Sequence, residues 1–173
     1  MFGDGSRQWR NPDLMGNVYD SPDRTDRSYG RGGQLRENRK WQYYYDCHGN
    51  LVLKTMRRME PSRNAEVRDE FLAWQSGDYA YTWQGNGMLR SVTRPDEKTV
   101  TFRYDALSRR IEKVFDGCVY RYLWDGDVIL HEWDYAEADR PNTIVTETSE
   151  VTLDRPEPVE NLITWVYDSD SYV

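Results

Sequence analysis

The sequence predicts an all-β fold, in which an antiparallel meander of hairpins forms a curved sheet. From Val100 to Trp133, aromatic and β-branched residues alternate with charged ones. This period of two is expected of strands that have one solvated face. Asp116-Gly117 and Asp125-Gly126 interrupt the alternation, and Asp-Gly pairs supply the positive φ angles that tight hairpin turns require. The same succession of strand, turn and strand recurs elsewhere, which indicates a repeat architecture.

The repeated unit is an aromatic residue that ends a strand, followed by a polar residue that begins a turn. An amphipathic strand then returns. The spacings between copies are 38, 21, 20 and 43 residues, which are close to one or two periods of about 20 residues. The copies begin at Tyr45-Asp46, Trp83-Gln84, Tyr104-Asp105, Trp124-Asp125 and Tyr167-Asp168.

Residues 1–40 are polar and rich in Gly, Asp and Arg. We expect a loop-rich connector that is held on the sheet by a few aromatic side chains. A hairpin follows from Arg39 to Met59, and residues 61–77 interrupt the β pattern. Within this insertion, Ser62 is placed to cap one short helix over residues 65–75.

Residues 41–133 are predicted to form the repeat meander, with the insertion inside it. The hairpin from Asp78 to Arg94 leads into the central alternating stretch. Residues 134–173 are predicted to form an acidic β-connector and a final partial repeat. In that segment we expect a strand over Thr143 to Leu153, an extended Pro-containing link and a last strand from Leu162 to Tyr167.

Charge is unevenly distributed along the chain. The net charge is −7, and residues 132–173 alone carry 11 acidic and 2 basic side chains, a balance of −9. Phosphates would be repelled by this segment, so we expect no nucleic-acid partner. No stretch reaches the roughly 18 apolar residues of a membrane span. Met1-Phe2 does not open a signal peptide, so synthesis in the cytosol and export without such a signal are expected.

The residues that usually carry chemistry do not form a recognisable constellation in the sequence. Cys47 and Cys118 are expected to be free thiols. His48 and His131 have no partners at metal-ligand spacing, and neighbouring residues on a strand point apart, which separates Cys47 from His48. Asp125 and its neighbours are explained by turn chemistry. We therefore expect no enzyme activity, no metal and no cofactor.

Three segments resemble the YD repeats of the Rhs family of bacterial proteins: YYYDCHGNLVLK, FRYDALSRRIEK and YRYLWDGDVILHEW. The segments on either side, 2–37 and 155–173, are similar to the non-repeat connections of that family. One departure is Ser108, because the family's repeat usually has Gly there. Glycine tolerates a positive φ angle and serine does not, so this turn is expected to be strained or differently built.

The resemblance implies a non-enzymatic structural module of a polymorphic toxin. In this family, repeats form a β-shell that encloses a secreted toxin domain, and the chain resembles a piece near the C-terminal part of the shell with an open edge at each end. Implied partners are the remaining shell segments or a second copy, together with an enclosed toxin polypeptide. Implied context is bacterial competition, with export by machinery such as type VI secretion.

Rows of Trp and Tyr on neighbouring strands are the candidate functional surface. They are Trp41-Tyr43-Tyr45, Tyr79-Tyr81-Trp83 and Tyr120-Tyr122-Trp124. Cross-strand aromatic pairs commonly hold a sheet together, and this is the ordinary interpretation. The functional interpretations are a shell wall that contacts cargo, or a carbohydrate- or protein-binding platform. The candidate contact residues are Tyr45, Asp46, Tyr81, Trp83, Tyr104, Asp105, Tyr122, Trp124, Tyr167 and Asp168.

Overall fold

The computed structural model describes residues 10–57 and 73–167, and this part of the chain is almost entirely antiparallel β-structure. Two single 3-10 turns, Arg31–Gly33 and Glu137–Asp139, interrupt it. The strands are β1 (Asn11–Pro12), β2 (Val18–Tyr19), β3 (Arg27–Tyr29), β4 (Leu35–Asn38), β5 (Gln42–Tyr45), β6 (Leu51–Thr55), β7 (Tyr79–Trp83), β8 (Leu89–Thr93), β9 (Thr99–Tyr104), β10 (Arg110–Phe115), β11 (Cys118–Asp125), β12 (Val128–Ala136), β13 (Thr143–Val145), β14 (Val151–Leu153) and β15 (Glu160–Thr164).

Eleven of these strands form one sheet. From β3 to β12 each strand is hydrogen-bonded to the strand that follows it in sequence, and β15 returns to pair with β12. The pairs β1–β2 and β13–β14 form separate two-stranded sheets. This sequential order is the meander that the alternation of side chains and the regular turn pairs predict, so the all-β antiparallel class is confirmed.

The chain divides into two compact units. The described residues up to Tyr81, together with Thr93–Asp96, belong to the first unit. Thr82–Val92 and the described residues from Glu97 onward belong to the second. The segment of residues 10–38, expected as a loop-rich connector, contains the short strands β1 to β4.

The first unit has its core on β6. Leu53 and Thr55 are fully buried, and the pairing of β5 with β6 places Tyr44 opposite Leu53. Asp78, just before β7, is 2% exposed and forms an ion pair with Arg57. The low exposure of Asp78 is tolerated because its charge is paired and hydrogen-bonded.

The second unit has its core where β10, β11 and β12 lie side by side. Val119 of β11 is directly opposite Tyr135 of β12, and both side chains are buried. Glu112 of β10 lies on the same face and is only 4% exposed. The core of this unit therefore includes a carboxylate as well as apolar side chains.

The two Asp-Gly pairs of the central stretch form turns in different registers. Asp116 and Gly117, with φ angles of +54° and +74°, are the two-residue loop between the paired residues Phe115 and Cys118. At the second turn Asp125 is still paired, with Val128, so the loop is Gly126-Asp127. The second turn therefore lies one residue later than the sequence pattern indicates.

The prediction of a single strand over Thr143 to Leu153 is wrong, because this segment forms the hairpin β13–β14. Its turn is closed when the amide of Ser149 donates to the carbonyl of Thr146. The turn residues 146–150 include neither Gly nor Pro, so no turn signal in the sequence marks the reversal. The short helix expected over 65–75 lies largely outside the described residues, and residues 73–75 are not helical.

Candidate functional site

Five hairpin turns in the described part of the chain share one pattern of main-chain hydrogen bonds. The amide of the first residue donates to the carbonyl of the fifth, and the amide of the fourth donates to the carbonyl of the first. The fourth residue has a φ angle between +64° and +86°. This is a type I turn completed by one left-handed residue. The repeat turns, as we call them, are 13–17, 46–50, 84–88, 105–109 and 146–150.

The predicted site residues Asp46 and Asp105 each occupy the first position of a repeat turn. Oδ1 of Asp46 accepts the amides of His48 and Asn50 at 2.9 and 2.8 Å, and its Oδ2 accepts Nδ2 of Asn50 at 3.0 Å. Asp105 makes the equivalent three hydrogen bonds within its own turn at 2.8–2.9 Å. The aspartate therefore closes the turn from its side chain as well as from its main chain.

The same hydrogen bonds set the protonation of these carboxyl groups. Partial burial acts to raise the pKa of Asp46, but the hydrogen bonds from Asn50 and His48 outweigh it and the pKa is lowered from 3.8. For Asp105, partial burial is likewise outweighed by the amide and guanidinium of Arg109, so its pKa is also lowered. Both side chains are therefore charged acceptors at neutral pH.

Ser108 occupies the fourth position of the turn 105–109, where three of the other turns have Gly. Its φ angle is +65°, and its amide donates to the carbonyl of Asp105 at 3.1 Å, as in the glycine-containing turns. The turn is therefore strained and is not differently built. A left-handed residue with a Cβ costs about 1–2 kcal/mol. Ser149 accepts the same strain in the turn 146–150, with a φ angle of +64°.

Aromatic side chains near the ends of three strand segments bond to the main chain of a neighbouring strand in the sheet. In each case a hydroxyl or indole N–H donates to a carbonyl near the start of the earlier strand, and thereby joins two strands beside a turn. These anchors run from Tyr45 to Leu35 at 2.9 Å, from Trp124 to Arg110 at 2.9 Å, and from Tyr167 to Ile129 at 2.8 Å. Asp168, predicted with Tyr167, lies outside the described residues.

The remaining predicted aromatics are half-buried in the sheet. Burial raises the pKa of Tyr81 in β7, and Trp83 ends the same strand. Tyr104 ends β9 opposite Arg110. Tyr122 of β11 lies beneath the guanidinium of Arg110, 4.8 Å from the ring centroid, and burial raises the pKa of its hydroxyl. These side chains therefore contribute packing area within the sheet.

In the first unit a cation lies over the rings of two members of the predicted aromatic rows. Lys54 of β6 lies between Trp41 and Tyr79, with Nζ 4.5 and 4.7 Å from the two ring centroids. The two rings also meet edge to face at 5.7 Å. Burial of the ammonium, and then the nearby charge of Lys40, lower the pKa of Lys54. The lysine intervenes because the return strand β6 runs between the strands that carry the aromatics.

The second unit repeats this arrangement. Arg110 of β10 lies between Phe102 of β9, at 5.8 Å, and Tyr122 of β11, at 4.8 Å. Lys113 lies 3.7 Å from the ring centroid of Tyr120. Each such contact is worth about 0.5–2 kcal/mol, depending on how far it is desolvated. These ring faces are occupied by cations of the same chain, which does not favour a platform for sugar rings.

A buried ion-pair network, which the sequence did not reveal, lies on the other face of the second unit. Glu112 receives Nη1 of Arg121 at 3.2 Å and Nη2 of Arg140 at 3.0 Å, one on each oxygen. Oε1 of Glu157 lies 3.0 Å from Nε of Arg121 and accepts the hydroxyl of Tyr135 at 2.6 Å. The network joins β10, β11 and β12 to the segment between β12 and β15.

Burial and the nearby carboxylate of Glu157 raise the pKa of Tyr135 well above its ordinary value of 10.0. The hydroxyl therefore remains protonated and donates to Glu157 throughout the physiological range. No local motif marks this network in the sequence, because Arg140 is 28 residues from Glu112 and Glu157 is 22 residues from Tyr135. Such long-range pairs depend on the topology of the sheet, and sequence periodicity does not predict them.

In residues 10–57 and 73–167, no three His, Cys, Asp or Glu side chains are grouped so as to hold a metal ion. Sγ of Cys47 lies 3.4 Å from Nδ1 of His48, although these neighbours were expected to point apart. They lie in a turn, where strand alternation does not apply. Within the same described ranges, no helix is long and apolar enough to cross a bilayer.

Comparison with known families identifies one matching model. The RHS repeat model matches residues 83–117, which contain the repeat turns 84–88 and 105–109 and the strands between and beyond them. The match therefore falls on the part of the chain where two repeat turns follow each other without insertion. The insertion region and the acidic segment lie outside it.

Curated relatives are large proteins with nuclease names. A probable deoxyribonuclease RhsA from Dickeya dadantii (strain 3937) is 33% identical over 101 residues, which is 57% of this chain and 6% of the relative. A probable deoxyribonuclease RhsB from the same strain matches equally well. A tRNA nuclease WapA from Bacillus subtilis (strain 168) is 29% identical over 115 residues, 54% of this chain and 5% of the relative. The match thus spans about one-twentieth of each relative.

Proposed function

This chain belongs to the Rhs/YD-repeat family, and we propose that it is a non-enzymatic segment of a β-shell that encloses a toxin domain. The family model and the two Rhs-named relatives support an Rhs-type structural repeat. The role as shell wall, and the enclosed toxin, are the proposed part. The relatives' nuclease names, together with the small share of each relative that is matched, support placing nuclease chemistry in another part of such proteins.

The observation that carries the proposal is the shared closure of the hairpins. Each repeat turn is held by main-chain bonds within five residues, and three aromatic anchors bond the strands beside such turns. A sheet assembled from identical closures extends strand by strand, with each hairpin supported by its neighbours. This is the construction that a continuous wall requires. The aspartates of the turns serve that closure as charged acceptors.

The proposal extends to partners and to cellular context. The sheet edges at β3 and β15 are the surfaces on which further shell segments, or a second copy, would pair. All five residues of β15 are exposed, as an edge that receives another strand would be. The enclosed polypeptide would be a toxin, made in the bacterial cytoplasm and exported for competition between bacteria by a machine such as the type VI apparatus.

A segment exchange tests the proposal. In the RhsA relative of Dickeya dadantii, the 101 aligned residues are replaced by the matching residues of this chain. If the segment is equivalent shell wall, the C-terminal part of the chimera resists limited proteolysis as it does in the parent. A version with the 101 residues deleted is the comparison, and it should lose that resistance.

A second chimera carries Asp105→Ala, which removes three hydrogen bonds of one repeat turn, and it should be cleaved faster than the first. If the first chimera and the deletion variant are cleaved at the same rate, the shell assignment is wrong. A nuclease activity in the isolated chain would also contradict the proposal, because it would place catalysis within the wall.

A further inference from the structure

A shallow groove of about 470 Å³ opens on the second unit. One wall is formed by exposed side chains of β8 and β9, and the other by the segment that follows β12. Arg90, Arg103 and Arg140 line it, and Thr101 adds a hydroxyl. Thr101 and Arg103 are two residues apart on β9 and are both exposed, so they lie on the same face of that strand. The groove therefore brings cationic and hydroxyl donors together.

Two of the three guanidinium groups have no ion-pair partner in the part of the chain that the structure describes. Arg90 and Arg103 are exposed and form no ion pair with another described residue. Arg103 lies opposite Glu112 in the register of β9 and β10. However, the oxygens of Glu112 are already bound by Arg121 and Arg140, so this carboxylate does not serve Arg103.

The third guanidinium presents an unused donor. Nη2 of Arg140 is bound to Glu112, whereas its buried Nε has no hydrogen-bond partner among the described residues. A buried N–H without an acceptor is uncommon in native proteins and costs about 1–3 kcal/mol. The groove is also lined by two carboxylates: Glu137, and Glu112, whose oxygens are already bound. Its three guanidinium groups outnumber them. An oxyanion would offset the remaining positive charge and supply an acceptor for the unused donor.

We propose that this groove binds a phosphoryl group. Guanidinium forks match the oxygens of phosphate in charge and geometry, and a threonine hydroxyl supplies a further donor. The net charge of −7 would repel a polyanion, so the ligand is a single phosphoryl group and not a nucleic acid. It is inorganic phosphate or a phosphoryl group on a small molecule or side chain. Such a site would not depend on the chain being part of a shell.

Binding there would bridge parts of the unit that are distant in sequence. The anion would contact β8 through Arg90, β9 through Arg103, and the segment after β12 through Arg140. A ligand that binds the folded state alone raises stability in proportion to the logarithm of its concentration above the dissociation constant. The expected signature is therefore a rise of the melting temperature with phosphate concentration, at constant ionic strength.

The first experiment measures thermal unfolding of the full chain in phosphate and in chloride of equal ionic strength. We expect about 20 mM phosphate to raise the melting temperature by about 2–4 °C. Phosphate also stabilises proteins generally by exclusion from their surface, so variants are required. Arg103→Gln and Arg90→Gln should abolish the specific rise. Arg110→Gln, an exposed arginine that does not line the groove, should retain it.

The second experiment detects binding without reference to folding. Phosphorus NMR line widths of inorganic phosphate and of phosphoserine are followed as protein is added, with Arg103→Gln as the matched control. Equal dissociation constants for the two ligands support a site that recognises the phosphoryl group alone. A lower dissociation constant for phosphoserine supports a phosphorylated side chain as the ligand. If neither line broadens, or Arg103→Gln broadens both equally, the proposal is overturned.

Discussion

The hydroxyl of Tyr135 donates a 2.6 Å hydrogen bond to Oε1 of Glu157, and the same oxygen lies 3.0 Å from Nε of Arg121. One carboxylate thus joins strands β11 and β12 to a residue beyond the β13–β14 hairpin. Tyr135 is 1% exposed, so its hydroxyl depends on this acceptor for its hydrogen bond. The contact fixes the segment between β12 and β15 on the core of the second unit.

Tyr135→Phe should destabilise the chain. The substitution removes a hydrogen bond to a charged acceptor, so the free energy of unfolding should fall by about 1.5–3 kcal/mol. Urea denaturation at pH 7 measures the loss. Tyr104→Phe is the control, because Tyr104 is a half-buried tyrosine whose hydroxyl has no hydrogen bond to another described residue. Equal effects of the two substitutions would show that the contact with Glu157 contributes nothing specific.

The same tyrosine should make stability fall in alkali. The pKa of Tyr135 is raised above 10.0 in the folded chain, so above pH 10 the unfolded chain loses its proton while the native hydroxyl keeps it. The contribution is present at lower pH and is lost as the pH rises past 10. Between pH 9 and 11, the wild type should therefore lose more stability than the Tyr135→Phe variant, measured as the urea concentration at the midpoint of unfolding. If the midpoints of the two proteins fall in parallel with pH, this expectation is wrong.

Glu112→Gln should be more damaging than the loss of any exposed ion pair. The neutral side chain keeps its shape but leaves Arg121 and Arg140 without their shared charge, at a cost of about 3 kcal/mol. Lys98→Gln is the comparison, since Lys98 and Asp116 form an exposed pair at 2.6 Å, and such pairs are worth less than about 1 kcal/mol. Urea denaturation gives the free energy of unfolding of both variants. A smaller loss of this free energy for Glu112→Gln than for Lys98→Gln would show that the buried network is not a major contributor to stability.

Ser108→Gly should stabilise the chain, which is uncommon for a change to glycine. Relief of the left-handed strain at φ +65° outweighs the added freedom of the unfolded chain, for a net gain of about 0.5–1 kcal/mol. Gly87→Ser, at the same position of the turn 84–88, should cost about 1 kcal/mol. No atom lies within 4 Å of a Cβ at Gly87, so only backbone conformation is tested there. If Ser108→Gly and Gly87→Ser shift the melting temperature in the same direction, backbone strain at this turn position does not determine the stability.

Asp46→Asn should weaken the turn at neutral pH by about 1 kcal/mol, because a neutral acceptor replaces a charged one. The folded pKa of Asp46 lies below 3.8, so the advantage of the carboxylate is present above that pH and is lost as the pH falls through the folded value. The difference in melting temperature between the variant and the wild type should therefore narrow as the pH falls below 3.8. A gap that is constant from pH 7 to pH 3 would show that the charge is irrelevant.

Local rules were sufficient for much of the fold. Alternation and turn residues predict the meander, because each strand pairs with its neighbour and every bond of a repeat turn lies within five residues. The turn 146–150 was missed because it contains no Gly, and Ser149 takes the left-handed position without a sequence signal. The register at Gly126 was missed by one residue, since two-residue loops place Asp-Gly in more than one way.

The candidate site was only partly accessible to the same rules. The aspartates of the turns were found because their partners are two and four residues away. Contacts between aromatic rings of neighbouring rows were expected, and Trp41 and Tyr79 do meet edge to face. The cations Lys54 and Arg110, which also lie over the rings, were not foreseen. The network around Glu112 depends on residues up to 28 positions away, and no periodic pattern encodes such a separation.

The repeat turn has a consequence for how such a chain grows. Each turn reverses the chain with bonds confined to its own five residues, so a hairpin needs nothing distant in order to close. Duplication of a hairpin adds an even number of strands. The strand that follows the duplicated hairpin therefore keeps its direction, and its side chains stay on the same faces of the sheet. Recombination between repeats therefore changes the length of the sheet without exchanging its two faces.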